Sequence, residues 1–183
     1  MGDIERYPDW VFQCSDAEVR PEEWGRNVIR IKINGIWPVS DRDIAARSTI
    51  NQDPESGTIT IHSEAVKDVV PEQKGWLRIP DLDNRFRLEP LDNGGSRITF
   101  RTFVNPGGNI PAWLANFVAT RAPEYTLTNM AELLKKERYA LDSVDELPIQ
   151  FPGIEEMTFP SLQPGTDEAP ADTARTGAAS TRE

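Results

Sequence analysis

The chain is poor in the residues that do chemistry. It has one cysteine, Cys14, and one histidine, His62, in 183 residues. A lone thiol closes no internal disulfide, and Cys14 reads as a small buried apolar residue. His62 has no second histidine or cysteine to join it in a transition-metal site. Any serine triad would have to run through it, and no Gly-x-Ser-x-Gly elbow is present. Gly107 and Gly108 precede a helical stretch but lack the Gly-Lys-Ser/Thr ending of a phosphate loop. No metal and no cofactor is therefore expected. Carboxylates are plentiful, so a general-base role for one of them stays open.

Long apolar runs are absent too, so no segment is expected to span a bilayer. The start, MGDIERYPDW, has neither the positive region nor the apolar run of a signal peptide. Residue 6 is arginine, where a myristoylation signal wants serine or threonine. A cytoplasmic location is expected, with export left open if the natural start lies upstream. Basic clusters are missing as well. Up to residue 139 there are 21 acids against 18 bases; beyond it there are nine against two. Phosphate-backbone binding needs clustered Lys and Arg, so no nucleic-acid partner is expected.

What is present is a run of alternating segments. In VIRIKIN (28–34), Ile29, Ile31 and Ile33 share one face while Arg30 and Lys32 take the other. Residues 43–50, TITIHSE (58–64), GWLRI (75–79), RFRLEPL (85–91) and SRITFRTFV (96–104) read as further strands, with PDLDN as a connecting loop. Asn93-Gly94-Gly95 signals a hairpin. A meander of this kind has one face that must be covered.

The cover is expected from residues 105–139. Asn109 suits an N-cap and Pro111 a first turn. Ile110, Trp113, Leu114, Phe117 and Val118 follow helical spacing, as do Met130, Leu133 and Leu134. Pro123 predicts a bend near Ala122. The N-terminal DIERYPDWVF predicts two short helical pieces about a proline turn. The chain divides into a domain over 1–139 and an acidic, proline-rich tail over 140–183. From Gln163 the tail has no large apolar residue and is expected to be disordered.

Four stretches carry a family resemblance: WPVSDRDIAARS (37–48), VPEQKGWLRI (70–79), FRLEPL (86–91) and GGNIPAWLANF (107–117). Together, in this order and spacing, they resemble the START (steroidogenic acute regulatory protein-related lipid transfer) domain over about Ile4 to Arg138. The resemblance implies an α+β helix-grip fold, in which a curved antiparallel sheet packs on a long C-terminal helix around an apolar tunnel for one lipid. The family's N-terminal helix, about three strands and a further helix have no counterpart here, so the domain is expected to be truncated at its N-terminus, with an unpaired sheet edge.

By the same resemblance, Arg47 is the cavity-facing polar handle, and Val118, Thr126 and Met130 face the tunnel from the helix. Alternation adds Ile31 and Phe100 from the sheet. Asp41, Arg42 and Asp43 form a structural charged turn. Pro123 and the loops 51–57 and 65–74 are the expected gates. The favoured function is lipid binding or transfer without catalysis, by a monomer that makes transient membrane contact. Two other readings stay open: a cyclase- or hydrolase-like enzyme of the helix-grip superfamily, and a ligand-free remnant.

Overall fold

The computed structural model describes residues 2–139 and 156–157. Its centre is a seven-stranded sheet. The strands are β1 (Cys14–Val19), β2 (Val28–Ile33), β3 (Arg42–Gln52), β4 (Ile59–Ala65), β5 (Leu77–Arg78), β6 (Asp81–Pro90) and β7 (Ser96–Asn105). The order is β1-β2-β3-β4-β6-β7, antiparallel throughout, with the short β5 parallel to the start of β3. Three helices accompany the strands: α1 (Tyr7–Trp10), α2 (Pro21–Trp24) and the long α3 (Ala112–Leu134). Among the described residues, no helix is long and apolar enough to cross a membrane.

The curved sheet packs against α3, as the alternation and the helical spacing predict. Contact is concentrated at the C-terminal half of the helix. There Met130 and Leu133 are buried against Trp10 and Phe86, with Leu127 and Phe100 beside them. Phe86 and Phe100, cross-strand partners on β6 and β7, stack at 4.2 Å between ring centroids. Burying an aromatic pair of this kind removes a large apolar area from water, and the stacking adds to that gain.

The back of the sheet has its own cover. Trp24, Val28, Ala45 and Val70 form a buried cluster there, with Val66 and Val69 packed on it. The connection after β4 thus lies over the face turned away from α3. Its valines pack on Val28 and Ala45, so it covers the back face and does not lie over the side that α3 covers.

Several local expectations give way. β1, CSDAEV, was hidden because a bulge between Cys14 and Asp16 shifts its register and breaks the alternation. The stretch PDLDN is mostly strand: β6 begins at Asp81 with Leu82 buried, although Asp and Asn favour turns in isolation. α3 starts at Ala112, so Pro111 and not Asn109 holds the capping position. The expectation of one long helix holds: α3 runs on through Pro123 as one element. Of the tail over 140–183 only Glu156 and Met157 are described, and the stretch from Gln163 expected to be disordered lies outside the described residues.

Candidate functional site

Strand parity decides what faces α3. On β2 these are Ile29, Ile31 and Ile33; their partners on β3 are Ala46, Ile44 and Arg42. Continuing along β3, Ser48 and Ile50 share that face, opposite Ser63 and Ile61 of β4. Successive side chains on a strand alternate between faces. Arg47 therefore lies on the other side of the sheet, paired with Val28 and Glu64. The expectation that Arg47 enters the cavity is corrected: it lines neither of the two cavities under α3. The residue that does enter, one position on, is Ser48.

Two adjoining hollows lie between the sheet and α3. The first, of about 330 Å³, is floored by Ile29, Ile31, Ile50, Ile61, Phe86 and Phe100 and roofed by Trp10 and Thr126. The second, of about 560 Å³, is bounded by Ile44, Ile79, Phe103, Leu114, Val118 and Arg42. The segment after α1 parts them. Phe12 packs edge-on against Tyr125 of α3 at 5.5 Å, and its backbone N–H donates to Thr126 Oγ1 at 3.3 Å. Ile31, Phe100 and Thr126 line the first hollow and Val118 the second. Met130 instead belongs to the packed cluster around Trp10 and Phe86. Met157, from beyond the stretch that resembles the family, lines the first hollow; it also packs on the cluster of Ile4, Cys14, Ala17 and Ile29.

Among the described residues, no charged side chain lines the first hollow. Tyr7 lies there, and burial raises its hydroxyl above the ordinary tyrosine value. Burial likewise pushes the nearby Cys14 thiol up to about 11, which leaves it protonated and inert at neutral pH.

Asp41, Arg42 and Asp43 are structural, but they act in three directions. Asp41 Oδ1 accepts the Gly35 N–H at 2.8 Å. That closes a loop so tight that a Cβ on Gly35 would run into the Val39 carbonyl. Arg42 donates to the carbonyls of Ser40, Pro106 and Gly107, tying β3 to the approach to α3. Burial lowers its pKa. Asp43, fully buried on the back face, accepts from both Arg30 and Arg78. His62, also on the back face, has Nε2 3.2 Å from Asp83 Oδ1 at the surface.

A curved antiparallel sheet with a long helix across one face and a hollow between them defines a helix-grip protein. No family model matches the chain. An uncharacterized Pseudomonas aeruginosa protein, PA1579, is 31% identical over 134 residues, which is 73% of this chain and 66% of that protein. The bovine phosphatidylcholine transfer protein is 23% identical over 111 residues, 59% of this chain and 52% of that one. The chain thus spans about two thirds of the first relative and about half of the second. A crystal structure of a STAR-related lipid transfer protein fragment from Xanthomonas axonopodis superposes with a TM-score of 0.63 at 29% identity, covering 73% of this chain and 75% of that one. The chain is homologous to proteins of the START-related lipid transfer superfamily and shares their helix-grip fold.

Proposed function

We propose that the chain holds a lipid or similar hydrophobic molecule between its sheet and α3, and that it does so without covalent chemistry. The observation that carries this reading is the lining of the first hollow: every strand that crosses it contributes apolar side chains, and among the described residues no ionised group faces it. Its volume falls in the ordinary range of small-molecule sites. Each methylene taken out of water contributes about 0.8 kcal/mol, so a twelve-carbon chain gains on the order of 10 kcal/mol before entropic costs. An enzyme would need an acid and a base converging on the substrate, and among the described residues this lining offers neither.

Contact with a bilayer falls to a rim of exposed apolar side chains. Trp113 and Phe117, four residues apart on α3, are 61% and 46% exposed, and Phe103 near the end of β7 is 62% exposed. Exposed aromatic groups grouped in this way mark interaction surfaces, and aromatic rings suit the membrane boundary.

Native mass spectrometry of the chain after mild purification, followed by transfer of a fluorescent lipid between vesicles, tests the proposal. The expected result is a retained hydrophobic adduct and transfer above the protein-free rate. A chain that retains nothing, accepts no added lipid and moves none would overturn it.

A further inference from the structure

We infer that the first hollow selects a lipid carrying an uncharged oxygen, a hydroxyl or an ester carbonyl, by means of a polar row of four side chains that crosses the sheet. This rests on the proposal that the hollow takes a lipid.

The row is Ser48, Ser63, Asn84 and Thr102. These residues are successive cross-strand partners on β3, β4, β6 and β7, all on the face toward α3. Ser48 Oγ lies 2.7 Å from Ser63 Oγ, and Thr102 Oγ1 donates to Asn84 Oδ1 at 2.6 Å. The neighbouring rows are apolar on both sides. One is Ile50, Ile61, Phe86 and Phe100; the other is Ala46, Ala65, Leu82 and Val104. Ser48 is buried and Ser63 and Asn84 are half-buried, and polar groups so placed on an otherwise greasy floor are costly unless their hydrogen-bonding capacity is used; Thr102, at the exposed end of the row, borders the second hollow.

Donors are what the row has to spare. The Ser48–Ser63 bond uses one hydroxyl proton and leaves the other. Asn84 Oδ1 accepts from Thr102, and its amide N–H groups have no partner among the described residues. Thr126 Oγ1 accepts from the Phe12 N–H, so its own proton is also left over. Ser48, Ser63, Asn84 and Thr126 all line the hollow. Spare donors suit an oxygen with lone pairs.

The absence of ionised groups among the described residues of the lining points to the charge of that oxygen. A carboxylate or a phosphate placed there would be desolvated with no counter-ion. Arg47 lies across the sheet. Arg42 lines only the second hollow, and its guanidinium is held by three backbone carbonyls. A neutral oxygen needs no counter-ion and takes the spare hydrogen bonds.

The test is displacement of bound Nile red, an uncharged fluorophore, at pH 8 by four compounds built on a twelve-carbon chain: 1-dodecanol, methyl dodecanoate, dodecane and ionised dodecanoate. Dodecanol and the ester should displace the dye about tenfold more tightly than the alkane and the carboxylate, the scale of one or two buried hydrogen bonds. In the double variant Ser63→Ala, Asn84→Leu the alcohol and the ester should lose their advantage over the alkane, each competitor being compared at that variant's own Nile red affinity. Equal displacement by alkane and alcohol, or a preference for the carboxylate, would refute the row as a recognition device and leave lipid binding intact. So would a preference that survives the substitutions. If the wild-type chain binds neither Nile red nor any of the four, the lipid reading fails and the row fails with it. Should the double variant not fold, the wild-type series alone decides.

Discussion

Arg78 holds Asp43 by two hydrogen bonds, Nε to Oδ1 at 2.9 Å and Nη2 to Oδ2 at 2.8 Å, on the back of the sheet. Arg30 reaches the same carboxylate from β2 at 2.9 Å. Arg78 also donates to the carbonyls of Val70 and Pro71. One buried carboxylate thus joins β2, β3, β5 and the valine-rich cover over the back face. Asp43→Ala leaves the Arg78 guanidinium without its anion and Arg30 with only Glu18, 3.7 Å away. The expected loss is about 3–5 kcal/mol of stability, read as a lowered midpoint in urea unfolding with an unchanged slope.

The same carboxylate sets a pH dependence. Burial by itself raises its pKa, but the hydrogen bonds and charges of Arg78 and Arg30 more than offset this, and the net shift is downward. A depressed folded-state pKa means that the contribution is fully present above the unfolded value of about 3.9. It is lost as the pH falls from there through the folded value. Wild-type stability should therefore decline more steeply below about pH 4 than that of Asp43→Asn, which has no charge to lose. Parallel acid limbs for the two proteins would refute the assignment.

Met157 tests the first hollow from outside the sheet. Its side chain is one wall of that space. Met157→Trp should fill part of the hollow and weaken Nile red binding by tenfold or more, with the unfolding midpoint nearly retained. Met157→Ala should open the wall and shift the preferred alkyl chain to a greater length. Identical affinities for all three proteins would place the ligand elsewhere.

The exposed aromatic rim is separable from the cavity. Trp113 and Phe117 do not line either hollow. The pair Trp113→Ser, Phe117→Ser should slow lipid transfer between vesicles severalfold and leave the affinity for Nile red within about twofold, the scatter expected of surface substitutions. A loss of affinity equal to the loss of transfer rate would show that these residues hold ligand instead.

Part of this site was legible in the residue order. Ile29, Ile31 and Ile33 alternate without interruption, so Ile31 was placed in the cavity without coordinates. Phe100 followed from the same alternation. Arg47 was misplaced by one residue. The corrective signal was there: Ile44 and Ile50 share a parity on β3, and Ser48 shares it whereas Arg47 does not. β1 offered no such signal, because the bulge removes the alternation at the point where it would be counted. Met130 follows the helical spacing correctly, yet spacing alone does not separate a residue lining a hollow from one packed beside it.

What the amino-acid order determined by itself was the one-sided sheet, the amphipathic helix to cover it, and the scarcity of groups for metal or nucleophilic chemistry. Those follow from the period of a pleated strand, the period of a helix and the identity of each side chain, all of which are local. The fold decided the rest. Ser48, Ser63, Asn84 and Thr102 are spread over 55 residues of chain and become neighbours only when four strands settle into one register. Register is a long-range choice made by packing, and it turned scattered serine, asparagine and threonine residues into a single polar line beneath α3.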